Sequence, residues 1–358
     1  MKAAILGTVG VPGTYGGFET LAENLVKYQE EKALDVDLSV YCSSKAFEVR
    51  PDEFRGASLR YVNLDANGIQ SIPYDIVSLL DAIMRGRKRL LLLGVSGAIV
   101  LPLLRLVPGL KIVTNVDGIE WRREKWRGLA GVYLHFAEWV AVRASHTVIA
   151  DNQAIADYIK NAYGRDTEMI PYGGDHVLDH EPDDAGLEDL PESYALGLCR
   201  IEPENNIDMI LEAFAALDYP LVFVGNWDRS EYGRNLKTRY AGHPNIIIHD
   251  PVYEPGRLRA IRNRADLYLH GHSAGGTNPA LVEMMHFGVA VLAHGCDFNR
   301  QTTEGKALYF SEADDIRKAV EALANEARTK IGEEMLEIAR RRYTWDRIAE
   351  SYFALLEN

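Results

Sequence analysis

The sequence predicts an α/β protein made of two doubly wound, parallel-sheet domains in series. Three observations carry this. Short runs rich in leucine and β-branched residues alternate with helix-length segments along the chain, the pattern of βαβ units with helices on both faces. The alternation pauses once, at the acidic, proline-containing HEPDDAGLEDLPES (His180 to Ser193), and then restarts. The length, 358 residues, is long for one core and comfortable for two.

Taken in order, the first half offers KAAILG, DLSVYC, LRYVNL, RLLLLG, KIVTNV and HTVIA as strands. The second half offers YALGLC, LVFVG, NIIIHD, DLYLHG and AVLAHG, each ending in or near glycine, cysteine, histidine or aspartate. The apolar stretch from Leu90 to Val107 is interrupted by Gly94, Ser96, Gly97, Pro102 and Arg105. It reads as a buried strand, a loop and a short apolar helix, since a central arginine is costly in lipid. The terminal YTWDRIAESYFALLEN reads as an amphipathic helix with Trp345, Ile348, Tyr352 and Leu355 at helical spacing.

Composition narrows the function. Apolar residues make up 47% and charged residues 25%, an ordinary soluble balance, and the formal net charge of -13 argues against a nucleic-acid partner. Two short basic clusters, RGRKR (Arg85 to Arg89) and WRREKWR (Trp121 to Arg127), remain available to an anionic partner or as solvated loops. Cys42, Cys199 and Cys296 form no CxxC pair, so neither a structural zinc nor a disulfide framework is expected, and a reducing, cytoplasmic setting fits. The N-terminal MKAAILG reads as a first strand rather than a signal peptide.

Ligands of open α/β sheets bind beyond the carboxyl ends of the strands, so the loops after strands hold the candidate chemistry. Behind the first strand, GTVGVPGTYGGFETLAENL places Gly7, Gly10, Gly13, Gly16 and Gly17 before a helix beginning near Phe18 or Glu19. Glycine lets a ligand approach the backbone, and a helix start offers N–H groups; a tight surface turn is the alternative. The spacing is not GxGxxG, which disfavours NAD. Behind DLYLH, the run GHSAGGTNPALVEMMHFG (Gly271 to Gly288) puts Gly275, Gly276 and Thr277 ahead of a helix that Asn278 caps and Pro279 opens. Glu283 then lies about a turn into that helix, where a carboxylate can hold vicinal hydroxyls of a ribose or sit exposed. Arg200 follows YALGLC, where a guanidinium can clamp a diphosphate or face solvent.

Together these segments resemble the retaining glycosyltransferases of family 4, of the two-domain GT-B fold, and among them the bacterial rhamnosyltransferase-like branch. The likeness spans almost the whole chain: PGTYGGFETLAENL, NVDGIEWRREKW, CRIEPENNIDMILEAF, GHSAGGTNPALVEMMHFG and the weaker YTWDRIAESY. It implies Rossmann-like domains over residues 1–180 and 181–342 facing a cleft, with residues 343–358 returning as a helix to the first domain. It further implies that Gly16 and Gly17 face the donor diphosphate or the acceptor, that Arg200 faces the diphosphate, and that Glu283 binds the ribose. Gly275, Gly276, Thr277 and Asn278 would line the donor. Asp117, where the wider family often has histidine, and Glu120 would be the catalytic pair near the donor sugar; a turn cap is the alternative for Asp117. Tyr15, Trp121, Arg122 and Arg123 would lie on the acceptor side.

Two departures stand out. Gly275 occupies the place of the family's first glutamate, and Asn205 that of a lysine. The resemblance implies sugar transfer from a nucleotide-diphosphate donor, such as dTDP-rhamnose, to a saccharide or polyprenyl-linked acceptor in cell-surface polysaccharide synthesis. It implies no cofactor and no metal, and peripheral contact with the inner face of the membrane. A nucleotide-sugar epimerase of the same fold and a non-catalytic sugar-nucleotide-binding module are the alternatives.

Overall fold

The computed structural model describes every residue except Thr14, Tyr15, Asp117, Ile119, Glu120, residues 122–127 and Asn358. Contacts divide the chain into two units. One comprises Met1–Pro171 with Trp345–Asn358, the other Tyr172–Thr344.

The first unit holds an eight-stranded sheet: β1 (Lys2–Leu6), β2 (Asp37–Ser43), β3 (Glu53–Phe54), β4 (Ala57–Val62), β5 (Arg89–Leu93), β6 (Lys111–Asn115), β7 (Thr147–Ala150) and β8 (Glu168–Met169). The spatial order is β3-β4-β2-β1-β5-β6-β7-β8, and only the β3–β4 pair is antiparallel. The order reverses between β1 and β5, which makes that junction the topological switch point. Strands β1, β5 and β6 are buried on both faces, as their continuous apolar runs require. Sequence reading passes over β3 and β8, two-residue edge strands too short to show a period.

The second unit holds six strands: β9 (Tyr194–Leu198), β10 (Leu221–Val224), β11 (Ile246–His249), β12 (Ala265–His270), β13 (Ala290–His294) and β14 (Leu308–Phe310). All pairs are parallel in the order β11-β10-β9-β12-β13-β14, with the switch point between β9 and β12. The core behind this sheet joins Phe214, Phe223, Trp227, Leu267 and Leu292, with the Phe223 and Trp227 rings edge to face.

The Leu90 to Val107 stretch resolves into β5, a 3-10 turn at Ala98–Val100 and a four-residue helix, Leu101–Leu104. Among the described residues, no helix is long and apolar enough to cross a membrane. The terminal helix, Trp345–Glu357, belongs to the first unit. Its Tyr352 hydroxyl accepts a hydrogen bond from Asn115 Nδ2 at 2.6 Å, at the end of β6, and its Phe353 ring stacks on Tyr28. Of its two last leucines the helix buries Leu356, while Leu355 is half-buried, because the period runs through Ala349, Tyr352 and Leu356.

Candidate functional site

At the switch point of the second sheet, the loops after β9 and β12 are stitched to one another. Asn206 sits in the left-handed region at φ 50° and its Nδ2 donates to Gly271 O at 2.8 Å. The hydroxyl of Ser273 donates to Glu204 O at 2.8 Å. A Cβ on Gly271 would come within 2.0 Å of Asn205 O, so a side chain there would push the two loops apart. Asn205, in the place of the expected lysine, is buried and donates to Arg200 O at 2.8 Å. Its amide shapes the Arg200 loop and supplies no charge. The Arg200 side chain itself is exposed, with its guanidinium 3.9 Å from Glu202.

The β12 loop then opens. Gly275 adopts φ +131°, and among the described residues no atom beyond its chain neighbours lies within 4 Å of where its Cβ would be. Gly276 is half-buried and Thr277 buried. Asn278 Oδ1 accepts from Ala280 N at 3.1 Å and so caps the helix Pro279–Met285, with Pro279 in its first turn.

Glu283 is not a solvated helix residue. Its side chain is only 13% exposed and is ion-paired through Oε2 with Arg262, whose own side chain is 6% exposed. On the other oxygen, His176 Nε2 lies 3.6 Å away. His176 belongs to the 3-10 turn Asp175–Leu178, which packs against the Glu283 helix closely enough that a Cβ on Gly174 would meet Val282 C at 2.7 Å. Burial pushes the His176 imidazole below its ordinary pKa, against the pull of Glu283. The Arg262 cation thus holds one oxygen of the carboxylate, and the His176 ring lies beside the other. Nothing in the sequence singles out Arg262, one of four arginines in GRLRAIRNRAD. Sequence reasoning also passes over three histidines at the ends of β12 and β13. His270 and His272, two residues apart, stack with ring centroids 4.4 Å apart, and burial with its histidine neighbours drives His270 well below its ordinary pKa. His294 ends β13. The alternation in LHGH was the available signal, since i and i+2 share a face of a strand.

In the first unit, the glycine-rich loop also lies at the switch point, but its interior is occupied by the protein. A Cβ on Gly7, at φ +85°, would fall 2.0 Å from Leu93 O. On Gly10 it would fall 2.6 Å from Cys42 Sγ, and on Gly16 2.0 Å from Glu19 Oε2. Glu19 Oε1 accepts from Val9 N at 2.7 Å and from the Thr8 hydroxyl at 2.9 Å, and Glu23 Oε2 accepts from Gly13 N at 2.7 Å. The helix Gly17–Glu31 therefore meets the loop with its own carboxylates, and Glu19 already complements the positive helix start.

Of the expected acceptor-side and catalytic residues, Tyr15, Asp117, Glu120, Arg122 and Arg123 lie outside the described residues. Trp121 is described: its ring stacks on His135, centroids 4.4 Å apart, and its Nε1 donates to the Tyr158 hydroxyl at 3.3 Å. Tyr158 in turn donates to the buried Glu138 at 2.6 Å, as does Tyr163. Among the described residues, no group of three or more His, Cys, Asp or Glu is arranged to hold a metal ion.

Comparison with known proteins gives two family matches. Residues 1–175 match a domain of unknown function (DUF1972), and residues 183–341 match the family described as glycosyl transferases group 1. No curated protein sequence matches the chain. Among solved structures, a sucrose-phosphate synthase from Thermosynechococcus elongatus is similar over 99% of this chain and 98% of its own, at TM-score 0.80 and 15% identity. Anabaena HepE in complex with UDP-glucose is similar over 100% and 99%, at TM-score 0.74 and 15% identity. A glycosyltransferase from Rickettsia africae is similar over 100% and 98%, at TM-score 0.72 and 13% identity. At such identities the structural likeness speaks for the fold, and the family match for the second domain. The chain is thus a protein of the GT-B fold, two Rossmann-like α/β domains, whose residues 183–341 match the family described as glycosyl transferases group 1.

Proposed function

We propose that the chain transfers a sugar, with retention of anomeric configuration, from a nucleotide-diphosphate donor to a saccharide or polyprenyl-linked saccharide acceptor. Rhamnose from dTDP-rhamnose, for cell-surface polysaccharide, is the donor assignment that the sequence resemblance favours. The observation that carries the reading is Glu283. A carboxylate ion-paired with Arg262 and flanked by His176, on the helix that follows the open Gly275–Asn278 loop at the carboxyl edge of the sheet, suits two vicinal ribose hydroxyls. The solved HepE complex with UDP-glucose supports a nucleotide sugar as the ligand of such a fold.

In this reading, Arg200 reaches the diphosphate across the β9 loop, and backbone N–H groups of Gly275, Gly276, Thr277 and Asn278 stand where the first glutamate is missing. Gly16 and Gly17 face sugar hydroxyls rather than phosphate, because the Glu19 carboxylate at Gly16 repels an anion and accepts from a hydroxyl. The bond from the anomeric carbon to the phosphate oxygen breaks as the acceptor oxygen attacks on the same face. The departing diphosphate takes the acceptor's proton. Asp117 and Glu120 stabilise the positive charge on the sugar, Tyr15, Trp121, Arg122 and Arg123 receive the acceptor, and the reaction runs without a metal at the cytoplasmic face of the membrane.

The test is thermal stability with TDP, UDP, GDP, ADP and NAD, with and without EDTA, followed by a search for glycosylated acceptor. A ligand at ~100 times its dissociation constant adds about 2.7 kcal/mol. One nucleoside diphosphate that stabilises regardless of EDTA, and loses its effect in Glu283→Ala, supports the reading. A response to NAD alone, or isomerised donor without a glycosylated product, refutes it.

A further inference from the structure

The loops that meet at the switch point of the second sheet carry little positive charge for a site that would receive a diphosphate. From Cys199 to Asn206 the β9 loop has one cation, Arg200, and two acids, Glu202 and Glu204. Glu202 draws on the same guanidinium at 3.9 Å. Asn205 brings a buried amide where a lysine was expected. Between Gly271 and Asn278 the β12 loop has no Lys, Arg, Asp or Glu, and its one titratable side chain is His272.

The fold sets that histidine beside Arg200. Strands β9 and β12 pair Gly197 with Leu269, and Arg200 and His272 each stand three residues further on, past the carboxyl ends of their strands. The neighbours of His272 are fixed on both sides. Gly271 O accepts from Asn206 Nδ2 at 2.8 Å, and Ser273 N donates to Glu204 O at 3.2 Å. The His272 carbonyl itself accepts from Asn299 Nδ2 at 2.9 Å, in the helix after β13. The open Gly275 follows three residues later.

Stacking decides which imidazole can carry charge. The rings of His270 and His272 lie 15° from parallel, with centroids 4.4 Å apart, and two protonated rings so placed repel. His270 is fully buried, with Nδ1 3.3 Å from the Tyr268 hydroxyl, and burial keeps it neutral. His272 is half-buried, and a phosphate oxygen next to it favours its charged form. The other titratable groups around the pair are His294 at the end of β13, Cys296, whose thiol lies 3.6 Å from the His272 carbonyl, and Arg200 with Glu202 in the β9 loop. Burial lowers His294 and raises Cys296, which leaves both uncharged at neutral pH.

We infer that His272 is the second cation of the donor site, its imidazolium donating a hydrogen bond to the diphosphate beside Arg200 while the His270 ring fixes its plane. This rests on the sugar-transfer reading above. As the bond from the anomeric carbon to the phosphate oxygen breaks, the electron pair stays on that oxygen. The His272 proton remains on its ring, so the side chain offsets charge and transfers nothing.

Isothermal titration of the full-length chain with TDP, UDP, GDP and ADP, and with the matching nucleosides, near pH 6 and near pH 8, tests it. The wild type should bind one of the diphosphates. His272→Gln should weaken that diphosphate about tenfold near pH 6 and about twofold near pH 8, with nucleoside affinity and thermal melting unchanged. His272→Arg, a permanent cation, should return affinity to within about threefold of the wild type at both values. Titration of the ligand phosphate and of His176 is common to all three proteins, so ratios between them report the side chain at 272. Glu283→Ala, by contrast, should weaken nucleoside and diphosphate alike. A diphosphate that wild type and His272→Gln hold equally overturns the inference and leaves the nucleotide site standing. A loss that the nucleoside shares and His272→Arg does not restore overturns it too, as the mark of a purely structural role. A wild type that binds none of the four diphosphates overturns both readings.

Discussion

The glycine-rich loop after β1 and the glycine-rich loop after β12 follow the same local plan, a strand, glycines and then a helix, at the switch points of their two sheets. Their insides are opposite. In the first, glycines exist because other protein atoms crowd them, and the N–H groups of Val9 and Gly13 are already satisfied by Glu19 and Glu23. In the second, Gly275 faces open space, and the acid of the following helix, Glu283, is engaged by Arg262 and His176 rather than by the loop's own N–H groups. A glycine pattern therefore reports only that side chains are not tolerated. Whether the cause is the protein's own packing or room for a ligand depends on what surrounds the loop.

The largest effect that probes this contrast is on stability. Gly7→Ala should cost about 3–4 kcal/mol, since its Cβ would strike the Leu93 carbonyl at a positive φ, and the calorimetric transition of the variant should fall accordingly. Gly275→Ala should cost only about 1 kcal/mol, for backbone strain without a clash. Equal losses would erase the distinction between a filled loop and an open one.

Next comes Arg262→Met, which leaves the Glu283 carboxylate buried without its cation. It should cost about 3 kcal/mol of stability and weaken nucleoside diphosphate binding with it. Glu19→Ala strips two groups of the first loop, the Thr8 hydroxyl and Val9 N–H, from their acceptor and should cost about 2 kcal/mol, yet leave nucleotide affinity within about threefold. If Glu19→Ala abolished nucleotide binding while Arg262→Met did not, the donor would belong to the first loop after all.

The smallest expected effect is in pH dependence, where the two units have opposite signs. Asp75, buried beside the first loop with Gly97 packed on its Cβ, has its carboxyl pushed up to about 8 by desolvation. Its contribution to stability is present below an ordinary carboxylate pKa near 4 and is lost as pH rises toward 8. In the second unit, burial lowers His176, so its contribution is present above the ordinary imidazole pKa of about 6.5 and is lost as pH falls below that. Melting temperatures should show Asp75→Asn gaining on the wild type by a few degrees between pH 4 and 8, and His176→Gln gaining below pH 6.5. Parallel pH profiles for the two variants would contradict the assignment.

The sequence by itself determined the alternation of strands and helices, the two-sheet plan, the Asn278 cap with Pro279 behind it, and the loops worth inspecting. Each of these is local: it depends on hydrophobic period, on the donor that proline lacks, and on conformations that glycine alone adopts at no cost. Only the tertiary structure decided how those residues are used. Arg262 and His176 reach Glu283 from 21 and 107 positions away along the chain, the Gly7 constraint comes from β5, and Asn205 secures Arg200 by an amide hydrogen bond in place of a lysine charge. The apolar stripe of Leu129–Ala144 looks like any core-facing stripe in sequence, because period shows that a face exists and not whether the fold turns it inward. Long-range partners are set by where the sheet brings distant loops together, and no local pattern encodes them.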